Sequence, residues 1–357
     1  MEDPVDARTN ESEDLYDVAS WEPRTALDRL AMRIYGAGRW LVLVLAPVAV
    51  RWGLYLLGFV ILLGILAGGA GAIILDNPFV LGLAVLSVVP AGLLALYVYL
   101  TDVTTKEPPA LLLATFVLAV LFAGFAAVVN STLGVIRLLP FVGIPLYFYL
   151  VVGPVEEFVK LLAIRLYAYR DDRFDSVIDG AVYGAVAGLG FATIENVLYI
   201  TQNLQGSGAL ITAMAVDVLA QFSEAVEAGG GITAVRSLAG PGHVIYSAFA
   251  GYYLGLAKFN RENAVPIILK GLIIAAFIHA TYNVLVGIVP GIVGLLVPGV
   301  PQLVLFFGFV VVYAGLFFYI LYRKLRRYRR TYRAVRGDVE SAAELEPELT
   351  EFDPDTN

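Results

Sequence analysis

The sequence contains no cysteine. That excludes a disulfide framework, cysteine-ligated zinc, an iron–sulfur cluster and a thiol nucleophile, and it leaves the redox compartment unread. Histidine is almost as scarce: His243 and His279 are the only two. No His-Glu-x-x-His helix can exist, so any histidine chemistry must be assembled in space from separate segments. Charge is also short. Asp, Glu, Lys and Arg make up 15% of the chain, against about a quarter in soluble domains. Hydrophobic residues reach 59% and the mean hydropathy is +0.77. That much apolar surface does not fit one soluble core, which excludes a cytosolic enzyme, and a disordered chain would be polar and charged. The reading is an all-α polytopic transmembrane bundle in the cell membrane.

The charge that is present lies mainly at the ends. Residues 2–22 hold eight acids against Arg8, and residues 338–357 hold eight more with no base. Two solvated tails are the plain reading. A sharper one is a high-salt organism, because acidic soluble surface is a halophile device. The first thirty residues are polar and show no signal-peptide core. The basic run 323–336 fits anchoring on anionic lipid, and no nucleic-acid partner is expected.

A span needs about 20 apolar residues. Eight segments qualify: 53–75, 79–100, 110–130, 143–168, 176–201, 242–258, 265–289 and 301–322. The stretch from Thr25 to Trp40 reads as an amphipathic interfacial helix, continued by 40–50. Basic clusters at Arg24–Arg51, Lys106, Arg170/Arg173, Lys258/Arg261 and 323–336 all fall inside, with both termini cytoplasmic, only if 203–241 begins and ends outside. Residues 207–226 are therefore expected to form an external amphipathic or re-entrant helix. Asn130-Ser131-Thr132 then reads as a glycosylation sequon in an outer loop. The organisation is an acidic tail with an amphipathic helix (1–38), N-terminal spans (39–140), a core (141–290), a last span (291–322) and a basic, then acidic tail (323–357).

Polar residues inside the spans carry the chemistry, because an ionisable group in hydrocarbon is costly and marks function by default. Five stand out: Glu156 and Glu157, Glu195, His243 and His279. With alternating helix direction, all five reach the central to outer membrane. Glu156 and Lys160 share a helical face that allows them to pair, while Glu157 is turned about 100° away, so one glutamate can face the pocket while the other is held by Lys160 or a neighbouring helix. Phe191 shares a face with Glu195. Asn283 shares one with His279 and is expected to orient its ring. A desolvated carboxylate serves as a base on water, and a histidine donates to a developing oxyanion. Together they make a hydrolase without a covalent nucleophile. Two histidines with a glutamate would also hold zinc with an open position, so Zn2+ is the alternative cofactor, with none favoured. Asp179, Arg165 and Arg236 are expected to be structural or interfacial, Asp217 and Glu224 solvated, and Gly184-x-x-x-Gly188 a packing motif. A proton-coupled transporter or a non-catalytic scaffold is the reading from another class. No repeat between the halves supports transport, and the first three spans show no chemistry of their own.

Glu156-Glu157-x-x-Lys160, Phe191-x-x-x-Glu195-Asn196, His243 and His279-x-x-x-Asn283, with Asp179-Gly180-x-x-Tyr183-Gly184 and Gly251-Tyr252-Tyr253-Leu254-Gly255-Leu256-Ala257 as flanks, resemble the PrsW family of intramembrane proteases over about 150–290. That family sits within the wider group of CAAX prenyl proteases and Abi proteins. The CAAX branch usually carries His where Glu195 stands. The resemblance implies hydrolysis of peptide bonds in membrane-anchored, single-span proteins, such as site-1 cleavage of an anti-sigma-type regulator. It implies Glu156 or Glu157 as general base, and Glu195 with His243 positioning water or polarising the carbonyl. His279 becomes oxyanion donor or second base, with Lys160, Phe191, Asn196 and Asn283 in support. Zinc held by His243, His279 and Glu195 or Glu156 is the runner-up.

Overall fold

The computed structural model describes residues 23, 25–44, 48–65, 78–103, 106–206 and 218–335. Every regular element among them is helical. In order they are α1 (Ala26–Val44), α2 (Val48–Ile65), α3 (Pro78–Leu100), α4 (Pro109–Thr132), a 3-10 segment (Leu133–Leu138), the short α5 (Gly143–Tyr147), a π segment (Phe148–Val152), α6 (Gly153–Leu166), α7 (Val177–Gly206), α8 (Val218–Phe259), α9 (Ala264–Leu296) and α10 (Gln302–Val335). Six stretches, in α2, α3, α4 with the 3-10 segment, α7, α9 and α10, are long and apolar enough to cross a membrane. The two other expected spans are the 143–166 segment, helical throughout with a π turn, and the C-terminal part of α8. They carry charged side chains inward and fall short of that measure of apolarity.

α7 is the central helix: 83% of its most apolar window is buried, against 11% for α10, which lies at the edge. Its closest partner is α8. A Cβ placed on Gly180 would lie 2.1 Å from the Gly251 carbonyl, on Gly184 2.2 Å from that of Ser247, and on Gly188 2.4 Å from that of His243. Without a hydrophobic drive between helices in lipid, small residues at four-residue spacing let backbones meet and gain dispersion contacts. Gly184-x-x-x-Gly188 is thus a packing motif, and the seam ends at His243, which it fixes against α7.

Several elements differ from the sequence reading. The expected 143–168 span is helical without a gap from Gly143 to Leu166, but it carries a π turn at Phe148–Val152, just before Gly153. Residues 207–217 lie outside the described residues, and from Val218 onward the chain belongs to the same helix as His243 rather than to a separate external one. Pro241 is accommodated inside that helix. α1 is more than an interfacial strip. Thr25 and Asp28 form a reciprocal capping pair, with Thr25 N to Asp28 Oδ2 at 2.8 Å and Asp28 N to Thr25 Oγ1 at 3.1 Å. Asp28 Oδ1 is also 2.9 Å from Lys270 Nζ on α9, with both side chains buried. A buried ion pair of that kind docks the start of α1 on the bundle.

Candidate active site

The site is built where the chain turns back through the 3-10 segment, α5 and the π segment into α6. A π turn inside a helix re-aims the side chains that follow it. Gly153 then lets α6 press on α9, because a Cβ there would stand 2.6 Å from the Ala276 carbonyl. Glu156 and Glu157 follow, adjacent in sequence and pointing to different partners as the 100° rotation per residue requires. Glu157 Oε1 accepts a bond from Lys160 Nζ at 2.6 Å, and Glu157 Oε2 accepts one from Ser247 Oγ at 3.2 Å. Lys160 therefore pairs with Glu157, not with Glu156 as its spacing suggested. Glu156 Oε1 accepts a bond from Asn130 Nδ2 at 3.0 Å.

Both histidines complete the cluster. His279 Nδ1 lies 2.8 Å from Glu157 Oε1 and its Nε2 lies 3.7 Å from Glu156 Oε2. His243 Nε2 lies 2.8 Å from Glu195 Oε2 and its Nδ1 lies 3.0 Å from Lys160 Nζ. The two ring centroids are 5.1 Å apart. Phe191 sits beside the His243 ring and under Lys160, whose Nζ is 4.4 Å from the ring centroid. Tyr246 stacks on His279 at 5.2 Å. Glu156, Glu157, Lys160, His243 and His279 are each at most 5% exposed. Charges so deep persist only when paired and hydrogen-bonded, and here each has a partner of opposite sign or a donor.

Hydrogen-bond polarity fixes the proton positions. A carboxylate only accepts, so His279 Nδ1 carries its proton toward Glu157, and in the neutral ring the Nε2 lone pair then faces Glu156. An ammonium only donates, so His243 Nδ1 accepts from Lys160 and its Nε2–H points at Glu195. Glu157, rather than Asn283, orients the His279 ring. Asn283 is half-buried one turn further along α9.

Glu195 brings in Arg236, a residue expected from the sequence to be structural or interfacial. Arg236 Nη2 donates to Glu195 Oε2 at 2.6 Å and its Nε donates to Asn196 Oδ1 at 2.8 Å. Asn196 in turn ties α7 to α3 through the Ser87 carbonyl and hydroxyl. Arg236 precedes His243 by seven residues, two turns on one helical face, and that spacing is the signal that could have found it. Asn130 was hidden in another way: a sequon in an expected outer loop, at the end of spans thought to carry no chemistry. Asp179 is structural as expected, accepting from Ser176 N and Oγ at the start of α7. Asp217 lies outside the described residues, and so does the side chain of Glu224.

Glu156, His243 and His279 each offer one ligand atom, all within 4.8 Å of one another. By donor type this set suits a catalytic zinc ion, and a carboxylate on His279 Nδ1 is the outer support such sites use. The fit fails at His243. Its Nε2 is engaged by Glu195 and its Nδ1 by an ammonium with no lone pair to accept a proton, so a metal on either nitrogen would displace one of them.

A family model described as PrsW family intramembrane metalloprotease matches residues 107–316, more than half of the chain. Curated relatives named Protease PrsW agree. The one from Geobacillus kaustophilus is 29% identical over 199 residues, covering 55% of this chain and 76% of its own. That of Shouchella clausii is 27% identical over 201 residues, covering 56% and 81%. That of Bacillus subtilis is 28% identical over 199 residues, covering 55% and 78%. No solved structure matches.

Proposed function

The chain belongs to the PrsW family of intramembrane proteases, a multi-pass protein of the cell membrane acting on membrane proteins, and from that premise we propose that it cleaves single-span substrates with glutamate-activated water. The observation that carries this reading is the pair Glu156 Oε2 and His279 Nε2, facing each other 3.7 Å apart with both side chains buried. A water bonded to both from the open side loses a proton to Glu156, and the oxygen attacks the scissile carbonyl carbon. His279, held by Glu157, is the second base that aims the water. The His243 Nε2–H and the Arg236 guanidinium lie beside Glu195, where they can meet the developing oxyanion. Glu156 then passes its proton to the leaving amide nitrogen as the C–N bond breaks. Lys160 balances Glu157 and sets the His243 tautomer; Phe191 packs beneath both, and Asn196 braces Arg236.

Zinc chemistry is the second reading, which the family description favours although His243 would have to give up a present partner to bind the ion. Site-1 cleavage of an anti-sigma-type regulator is the substrate we propose. The test is proteolysis in liposomes by the full chain, with Glu156→Gln and His243→Ala as comparisons, against a panel of single-span peptides with and without a zinc chelator. Cleavage lost in both variants and resistant to chelation supports the glutamate mechanism. Loss on chelation with recovery on added zinc overturns it in favour of zinc. A folded wild type that cleaves nothing, while moving a solute with the proton gradient, points to a transporter.

A further inference from the structure

We infer that Asn130 is a positioning residue of the active site, holding Glu156 so that one chosen carboxylate oxygen meets the water; this rests on the proposed role of Glu156 as base. Asn130 lies on α4, 26 residues before Glu156, outside every motif that carries the family resemblance. Its Nδ2 donates to Glu156 Oε1 at 3.0 Å. The reverse amide orientation would set two oxygens against each other, so the contact fixes the orientation of the amide. Its backbone carbonyl accepts a bond from Tyr147 Oη at 3.0 Å, so the turn of α4 that carries it is tied to the segment leading into α6.

The consequence falls on Glu156. With Oε1 occupied, the oxygen left without a partner is Oε2, buried and facing His279 Nε2. A carboxylate free to rotate would present either oxygen in either place. Asn130 removes that choice, and orientation of a reacting group is a large part of what an active site supplies. Its own Oδ1 is also buried without a hydrogen-bond partner. A buried acceptor left over beside the base suits a pocket that receives a polar guest, such as the N–H of a peptide. A structural asparagine in hydrocarbon would be expected to satisfy its whole amide within the bundle.

The experiment has two arms on the full chain. In the first, thermal unfolding in detergent is followed for wild type, Asn130→Ala, Glu156→Ala and the double variant. Asn130→Ala is expected to lower the midpoint by a few degrees in the wild-type background and to leave it unmoved once Glu156 is gone. Equal shifts in both backgrounds would overturn the contact, whether or not any substrate is cleaved. In the second arm, Asn130→Ala is expected to lower kcat roughly 10- to 100-fold with KM nearly constant, and Asn130→Asp is expected to retain activity better at low pH than at high pH. There its neutral acid still donates to Glu156, whereas its anion repels it. Unchanged kcat in Asn130→Ala overturns the proposal. Thermal coupling without cleavage by any form, wild type included, locates the failure in the protease reading instead.

Discussion

Nζ of Lys160 stands 3.0 Å from Nδ1 of His243. An ammonium there forbids a proton on Nδ1, and so forbids the ring form that would ligate a metal through Nε2 while donating from Nδ1. Lys160→Gln offers an amide oxygen that accepts from Nδ1–H. It is therefore expected to bind zinc more tightly than wild type, by about tenfold or more, as read by equilibrium metal analysis of the purified protein. Equal or weaker zinc binding would remove Lys160 as the obstacle.

The two adjacent glutamates should separate by phenotype. Glu156→Gln removes the base and leaves the ion pairs intact, so activity is expected to fall at least 100-fold, the lower range for losing a positioned base, with an unchanged unfolding midpoint. Glu157→Gln leaves Lys160 buried opposite a neutral amide. Removing one partner of a buried pair costs about 3–5 kcal/mol, so this variant is expected to lose stability as well as activity. Parallel melting curves and turnover assays check the contrast.

Arg236 should respond to charge and to geometry separately. Arg236→Gln is expected to lose activity by roughly 100-fold, as for removal of one donor to a developing oxyanion. Arg236→Lys keeps the charge on Glu195 but cannot bond Glu195 and Asn196 at once, so it is expected to recover only part of the loss. Full activity in Arg236→Gln would return the residue to a packing role.

The helix seam gives a structural prediction. A Cβ on Gly251 would lie 2.0 Å from the Gly180 carbonyl, closer than any packing allows. Gly251→Ala must push α7 and α8 apart, at a cost of roughly 1–3 kcal/mol for overpacking. A lower unfolding midpoint together with lower activity is expected, because Glu195 and His243 ride on the two separated helices.

Glu107 lies in the loop between α3 and α4, outside the spans. Burial pushes its carboxyl up from 4.5 to about 7, against the opposing bond from the Tyr183 phenol and with Asp179, Asp102 and Asp175 nearby. A raised carboxyl binds more protons folded than unfolded. Its contribution to stability is present below 4.5 and lost as pH rises through about 7. The Glu107→Gln variant cannot ionise, so its unfolding midpoint is expected to depend less on pH across that window than the wild type's. Identical slopes would show that the group does not titrate there.

The membrane character, the helical class and the convergence of Glu156, Glu157, Glu195, His243 and His279 were all legible in the sequence, because charges in apolar runs stand out. Partners were harder to read. Lys160 satisfies the i,i+4 rule with Glu156, yet the three-residue neighbour Glu157 claims it, since Glu156 turns toward α4. Asn130 and Arg236 read from sequence as a sequon and as a structural or interfacial cation, because an amide at a helix end and a cation beside a soluble-looking stretch have ordinary uses. Only the packing of α4 and α8 against the core shows what they touch. The π segment left no sequence signal beyond Gly153-Pro154, because a one-residue widening of a helix keeps the apolar pattern almost unchanged.

The scarcity of histidine has a practical side. With both rings 5.1 Å apart and no others in the chain, a protein labelled with nitrogen-15 at histidine alone would give four ring signals, all from this pocket. Protonation, tautomer and metal contact would each be read directly, free of background from the rest of the molecule.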